Sequence, residues 1–166
     1  MRAMTDDLAL RQLGAGEGRK LLLLGDVRTV KAGGLDTGGG LTVVEQVAAP
    51  GAVASLHRHP YQEVFYVLDG ELEFTGLVKG ERDVFTVGPG CTVHAAPGVA
   101  HGYRNTGTAP ARFLAIMQPA GAEGFFEEVG VWLDEQGRPP ADVPEPSLDA
   151  AREASARHGI EFLTGS

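Results

Sequence analysis

Short apolar stretches separated by turn-forming residues fill the chain from about residue 20 to residue 118. Several of these stretches are rich in β-branched or aromatic residues, which is typical of β-strands. The predicted strands cover residues 20–25, 41–48, 63–69, 71–76, 83–87, 91–95, 101–105 and 111–117. Short strands at this regular spacing predict an all-β fold, either a sandwich or a closed barrel.

The connections between the predicted strands have the chemistry of tight turns. Asp69-Gly70 lies between apolar residues on both sides, which is a strong signal for a β-hairpin. Glycine and proline at residues 88–90, and asparagine and glycine within residues 105–107, mark two further turns. The 24 glycines are spread along the chain, so they indicate many turns and not one disordered tract.

The pattern changes after residue 118. Residues 122–133 cluster large apolar side chains and favour a short amphipathic helix, and the proline-rich residues 136–146 predict an extended linker. Residues 147–159 predict a second helix, with Ser147 as its cap and Gly159 at its end. At the other end of the chain, residues 5–13 are compatible with a short helical turn.

Charge and composition narrow the function classes. The net charge of −8 argues against nucleic acid as a partner, because contacts with phosphates need a basic surface. The longest aliphatic run, residues 21–24, is far too short to span a membrane. A single cysteine, Cys91, excludes an intramolecular disulfide. The N-terminus has acidic residues where a signal peptide would be apolar, so we expect a cytoplasmic protein.

Histidine and glutamate side chains cluster in two stretches of the predicted barrel. His57 and His59 share one face of an extended chain, and Glu63 shares it too if the chain stays extended past Pro60. These groups are costly to bury unless they are paired, hydrogen-bonded or bound to a metal. His101 begins a strand directly after a Pro-Gly turn that can aim its ring at the same point. Imidazole and carboxylate together suit a divalent iron, nickel, manganese, zinc or copper ion.

Both stretches resemble the two signature motifs of the cupin superfamily. The first motif, G-x5-H-x-H-x3-E-x6-G, is matched at every fixed position by Gly51, His57, His59, Glu63 and Gly70. The resemblance implies that the two histidines and the glutamate bind one divalent transition metal ion.

The second motif, G-x5-P-x-G-x2-H-x3-N, is matched at Gly90, Gly98, His101 and Asn105. It departs from the family at Ala96, next to Pro97, which can rigidify the same turn. The resemblance implies that His101 is the fourth metal ligand.

The family resemblance also implies an architecture. It predicts a double-stranded β-helix, or jelly-roll barrel, with short C-terminal helices, and a homodimer. We expect an N-terminal arm at residues 1–40 with strands that pack on the barrel, and a barrel core at residues 41–118. A C-terminal extension at residues 119–166 would pack its helices on the barrel or on the partner subunit.

Side-chain parity suggests which residues surround the ion. The expected pocket wall comprises Phe65, Val67, Phe74, Tyr103 and Phe113. Glu63 is a candidate catalytic base as well as a ligand, taking a proton from a substrate hydroxyl. The apolar cluster at residues 125–132 fits equally a lid over the barrel mouth and plain packing of a helix.

Three function classes remain open at this point, because a fold does not determine a reaction. The complete ligand set and the single short barrel resemble the small quercetin dioxygenase-like cupins. That resemblance implies an oxygenase acting on an aromatic or polyketide-like small molecule chelated by the metal. A non-oxidative isomerase, cyclase or decarboxylase would use the same ion as a Lewis acid. A small-molecule-binding cupin without turnover ranks last, because the ligand set is intact.

Overall fold

A computed structural model describes residues 10–144 and 146–163, most of which belong to β-strands or to the turns between them. In chain order the strands are β1 (Arg19–Leu23), β2 (Asp26–Ala32), β3 (Thr42–Ala48), β4 (Val53–Arg58), β5 (Gln62–Asp69), β6 (Leu72–Val78), β7 (Glu81–Val87), β8 (Thr92–Ala95), β9 (Ala100–Arg104), β10 (Ala111–Gln118), β11 (Val131–Trp132) and β12 (Glu161–Phe162). The helices are α1 (Ala122–Val129) and α2 (Leu148–Arg157).

The strands form two antiparallel sheets. One sheet has the order β11-β1-β2-β3-β10-β5-β8 and the other β12-β4-β9-β6-β7, so strands that are distant in sequence lie side by side. Aromatic rings from both sheets meet between them: the rings of Phe65 on β5 and Phe74 on β6 have centroids 5.0 Å apart. The prediction of an all-β jelly-roll barrel with short C-terminal helices is confirmed.

The strand boundaries agree closely with the sequence pattern. Each of the eight predicted strands is present with ends shifted by at most two residues. The strands β2, β4, β11 and β12 were not predicted. Two of them, β2 and β4, contain polar side chains that face the interior, so they lack the apolar pattern that identified the others.

The C-terminal segment differs in one respect from the sequence prediction. Helix α1 ends at Val129, because Gly130 is extended and the two residues of β11 pair with β1. The predicted helix over residues 122–133 was therefore too long. Helix α2 begins where predicted, and the Ser147 side chain accepts a hydrogen bond from the backbone N–H of Ala150 at 3.1 Å. The described part of the proline-rich linker has no helix or strand.

The N-terminal arm contributes to the first sheet, where β1 and β2 pair with each other and β2 pairs with β3. Residues 5–9 of the expected helical turn lie outside the described residues, and residues 10–13 are not helical. Neither α1 nor α2, the helices of the described residues, is long and apolar enough to cross a membrane.

Candidate metal centre

Three strands and one turn position the four predicted ligands. His57 lies near the end of β4, directly opposite His101 on β9. A β-bulge lies between Ala54 and His57, because two residues separate them on β4 while a single residue separates their partners Tyr103 and His101 on β9. The extra residue restores the inward direction of the His57 side chain. Glu63 lies at the start of β5, in the other sheet.

The four side chains converge. The potential ligand atoms of His57, His59, Glu63 and His101 all lie within 4.8 Å of one another. The Nε2 atoms of His59 and His101 lie 3.0 and 3.2 Å from the same Glu63 carboxylate oxygen, Oε2. His59, Glu63 and His101 are buried, and His57 is partly buried. The structure therefore brings all the predicted ligands together.

Backbone carbonyls fix the orientation of each imidazole. The Nδ1 atoms of His57, His59 and His101 lie 2.7–2.9 Å from the carbonyl oxygens of Ser55, Tyr61 and Val99. A carbonyl only accepts hydrogen bonds, so each Nδ1 must carry the proton. In a neutral imidazole the lone pair is then on Nε2, the atom that points into the cluster. Such outer hydrogen bonds are the usual way in which proteins orient histidine ligands to metals.

A tight turn within the second motif contacts the first motif. The backbone N–H of Gly98 donates a hydrogen bond of 2.8 Å to the carbonyl of His59, so the second motif is held against the first. Gly98 has φ +79°, in the left-handed region that favours glycine. The next residue, Val99, provides the carbonyl that orients His101.

The electrostatics of the cluster favour a cation among the side chains. Burial and the neighbouring His101 lower the pKa of His57 to about 4, so this ring is neutral at pH 7. Burial would raise the pKa of Glu63, but hydrogen bonds with His101 and His59 outweigh it and hold that pKa well below its usual range. Burial lowers the pKa of His101, yet the hydrogen bond and charge of Glu63 outweigh burial and raise it.

The donor set fits a metal ion for a reason visible in these contacts. With Nδ1 protonated, a hydrogen bond from Nε2 to Glu63 requires an imidazolium, and His59 and His101 both face the one carboxylate. Two neutral rings would instead point lone pairs at its oxygen. A divalent cation held by the Nε2 atoms and the carboxylate would remove this conflict without adding protons. The cluster of three histidines and one glutamate can therefore bind a metal.

A cavity adjoins the cluster, and the residues that line this cavity are spread along the chain from Leu23 to Phe162. Its lining residues include His57, His59 and Glu63 from the cluster. Apolar walls are provided by Leu23, Leu24, Phe65, Met117, Phe125, Phe126, Ile160 and Phe162. A polar part of the wall consists of Asp26 and Arg28 on β2, Gln46 on β3, and Tyr103 on β9.

The expected pocket wall needs correction. Phe65 and Tyr103 line the cavity, whereas Val67, Phe74 and Phe113 lie behind it in the hydrophobic core, each with at most 1% of its surface exposed. Side-chain parity correctly places these residues on inward faces. Side-chain parity contains no information about how deep in the barrel a residue lies. The three residues behind the cavity belong to a deeper layer of packed side chains.

Helix α1 and the C-terminal strand close one side of the cavity. Phe125 and Phe126 of α1 line it together with Phe162 of β12, whose ring centroid lies 5.7 Å from that of His57. Phe125 and Phe126 therefore line the cavity from α1, whereas Trp132, the remaining aromatic residue of the predicted cluster, does not line it. Glu128 of α1 forms an ion pair with Arg157 and contacts His158, and both of these residues lie at the end of α2.

Sequence reasoning named Tyr103 as part of the pocket wall but missed its polar neighbours Asp26, Arg28 and Gln46. The signal was the alternation in Asp26-Val-Arg28, which places the two charged side chains on one face of an extended chain. Asp26 has only 2% of its surface exposed. Tyr103 donates a short hydrogen bond to Oδ2 of Asp26 and lies 2.9 Å from Oε1 of Gln46.

Comparisons with known proteins agree with this architecture. The family model described as a cupin domain matches residues 44–117. Acireductone dioxygenases from two strains of Rhodopseudomonas palustris are 36% identical over 72 residues, which cover 43% of this chain and 42% of each relative. The chain thus spans less than half of the length of these curated relatives.

Solved structures show the same fold. An RmlC-like cupin from Shewanella frigidimarina has a TM-score of 0.54 at 21% identity, over 68% of this chain and 92% of that one. The polyketide cyclase RemF from Streptomyces resistomycificus has a TM-score of 0.57 at 18% identity, over 66% of this chain and 80% of that one. At these identities the likeness establishes the fold alone.

Proposed function

We propose that this chain, which belongs to the cupin superfamily through its domain at residues 44–117, is a metal-dependent dioxygenase that acts on a small molecule inside its barrel. The proposal rests on one observation: four ligand atoms converge within 4.8 Å, and the Nδ1 of each imidazole already bonds to a carbonyl. The name of the curated relatives, acireductone dioxygenase, supports the oxidative form of the reaction.

In this proposal His57, His59, Glu63 and His101 bind the ion. A divalent transition ion there supplies a Lewis acid for a substrate oxygen and, if it is redox-active, a partner for dioxygen chemistry. The sequence and the geometry fit iron, nickel, manganese, zinc or copper, so the identity of the metal has to be determined by experiment.

The apolar side chains around the cluster exclude water from the reacting groups. Phe65 lies behind the ligands, with its ring centroid 5.8 Å from that of His101, and the α1 aromatics cover the opposite side. Removal of water strengthens electrostatic interactions within the cavity and protects reactive species from hydrolysis. Tyr61 stacks on His59 with 3.8 Å between ring centroids, which restricts the rotation of that ligand.

Glu63 suits the role of ligand better than that of base. In the metal-free site, hydrogen bonds with His59 and His101 hold the pKa of Glu63 well below its usual range. A bound cation would likewise keep this carboxylate deprotonated, and such a carboxylate takes a proton from a hydroxyl group poorly. A substrate that reaches the site already deprotonated needs no base. We therefore propose Glu63 primarily as a ligand, with proton transfer limited to acidic substrate hydroxyls such as those of enediols.

Oxygen consumption tests this proposal directly. The protein is stripped of metal, reloaded separately with iron(II), nickel(II) or manganese(II), and assayed in an oxygen electrode with a flavonol and with an acireductone. Oxygen uptake should depend on the metal and disappear in the His101→Ala variant. The His94→Ala variant is the matched control, because His94 is exposed and contacts Gln62 outside the cluster.

Two results would change the assignment. Absence of oxygen uptake with all three metals and both substrates would contradict the dioxygenase. Substrate loss that proceeds under strict anaerobiosis would assign the chain to the non-oxidative isomerases, cyclases or decarboxylases, which use the same kind of ligand set.

A further inference from the structure

Arg28 is a cation inside the same cavity as the proposed metal ligands. Its side chain is only 14% exposed, and it lines the cavity together with the histidine cluster. In the first sheet Arg28 lies opposite Gln46 on β3, and Gln46 lies opposite Phe113 on β10, so the three residues form one inward row. A long, charged side chain seldom faces the interior of a barrel without a partner.

The contacts of Arg28 leave donors available. The nearest oxygen of Asp26, Oδ2, lies 3.9 Å from Nη2 of Arg28, which is beyond hydrogen-bond distance. That same oxygen already accepts the hydroxyl hydrogen of Tyr103. Among the described residues, Nε of Arg28 is buried and has no hydrogen-bond partner. The guanidinium also lies over the ring of Phe126, with 5.0 Å between its central carbon and the ring centroid, which holds it in place.

The charge of the cavity indicates what would complete these contacts. With a divalent ion bound, two positive charges come from the ion and one from Arg28, while Glu63 and Asp26 each supply one negative charge. The cavity then has one net positive charge, which is costly in a mostly apolar enclosure. A bound anion would neutralise it.

We propose that Arg28 is the substrate-anchoring residue of this cavity and binds an anionic oxygen, a carboxylate or an enolate, of a molecule that also reaches the histidine cluster. This inference rests on the proposed function for the metal part of the site. It defines the substrate class as small organic anions with an apolar body, since the remaining walls are aromatic and aliphatic. A guanidinium suits this task because its donors form a planar fork that matches a carboxylate.

Binding measurements test the anchor without any need for turnover. Glycolate, pyruvate, benzoate and salicylate are titrated by calorimetry against the wild-type protein, each compared with its uncharged amide. The carboxylates should bind at least roughly tenfold more tightly than the amides, which is the selectivity expected of hydrogen bonds to a charged group. In Arg28→Met the Kd of the carboxylates should rise by roughly ten- to a hundredfold, while the Kd of the amides should not change.

Two further variants keep the test interpretable. Arg112→Met removes an exposed arginine that pairs with Glu45, and it should bind like the wild type. Arg28→Lys retains the charge and should keep part of the preference, even if Arg28→Met proves too unstable to assay. A wild-type protein without carboxylate preference, or full preference in both Arg28 variants, would overturn the proposal.

Repeating the titrations on metal-free protein separates the two proposals. If the wild type binds no metal but Arg28 still selects carboxylates over amides, the metal-dependent function fails and the anchor stands. If the metal is bound in both the wild type and Arg28→Met while the carboxylate preference is the same in both, the anchor fails and the metal site stands.

Discussion

The hydroxyl of Tyr103 offers a quantitative test of the polar wall, because Tyr103→Phe removes one oxygen and little else. The ring is 5% exposed and packs against Phe74 and Phe113, with centroid distances of 5.7 and 5.1 Å. Phenylalanine can keep these contacts. The hydroxyl donates its hydrogen to the buried carboxylate of Asp26, which loses that donor in the variant.

The expected cost follows from the charge and burial of the acceptor. A hydrogen bond to a charged group contributes a net stabilisation of about 1.5–3 kcal/mol. For a chain of this length each kcal/mol shifts the melting temperature by about 2–4 °C, so Tyr103→Phe should lower Tm by about 3–12 °C. Burial and the charge of Asp26 raise the pKa of Tyr103 well above its usual value, so the phenol is protonated throughout an assay near pH 7.

Urea unfolding followed by the fluorescence of Trp132, the single tryptophan, measures this cost. Tyr66→Phe is the matched control, because Tyr66 is 40% exposed and its replacement should change stability by less than about 0.5 kcal/mol. Equal stability of the two variants would refute the argument that the hydrogen bond to Asp26 stabilises the fold. Metal content should be the same in both variants, since neither residue belongs to the proposed ligand set.

Three further predictions concern the metal site and its cover. Because Glu63 raises the pKa of His101, metal binding below that pKa should displace a proton, and metal affinity should therefore fall as pH decreases. Calorimetry in buffers of different ionisation enthalpy should detect the released proton. An observed heat of metal binding that does not depend on the ionisation enthalpy of the buffer would contradict this. Gly98→Ala should cost about 1–2 kcal/mol of stability because of the left-handed backbone, and weaken metal binding through His59; wild-type values in urea unfolding and metal titration would argue against this turn as a positioning element. Glu128→Gln should change the overall stability little, because the contacts of Glu128 with the end of α2 are solvent-exposed, yet it should speed hydrogen exchange in α2. Unchanged exchange would exclude a role in holding the cover.

The parts of the fold that follow local rules were predictable from the sequence. Strands such as β5 and β10 alternate buried and exposed positions, and glycine-containing turns separate them from their neighbours. Their apolar faces and turn residues are local features, so the pattern locates them within two residues. The candidate ligand set was equally visible, because its histidines and glutamate occupy fixed spacings within two short stretches.

Elements that serve the cavity were harder to predict. Strand β2 places Asp26 and Arg28 on its inward face, and β4 places His57 there, so neither strand has the apolar alternation of a core strand. The β-bulge in β4 also breaks simple parity. These departures occur at the cavity, where polar groups are retained at the expense of regular packing.

The cavity itself depends on contacts between distant parts of the chain. Phe125, Phe126 and Phe162 reach the barrel from beyond the matched cupin domain, and Arg28 reaches it from before that domain. No local pattern shows which of these side chains meets the ligands. The proposed metal ligands thus lie in the shared domain, while much of the surface that would contact a substrate lies in the flanking segments.

The central claim is that His57, His59, Glu63 and His101 hold a metal ion. Elemental analysis after metal loading and gel filtration tests it most directly, with the wild type, His59→Ala, His101→Ala and the exposed-histidine control His94→Ala measured side by side. We predict about one ion per chain in the wild type and in His94→Ala, and a large loss in the two ligand variants. Full metal content in both His59→Ala and His101→Ala would contradict the account.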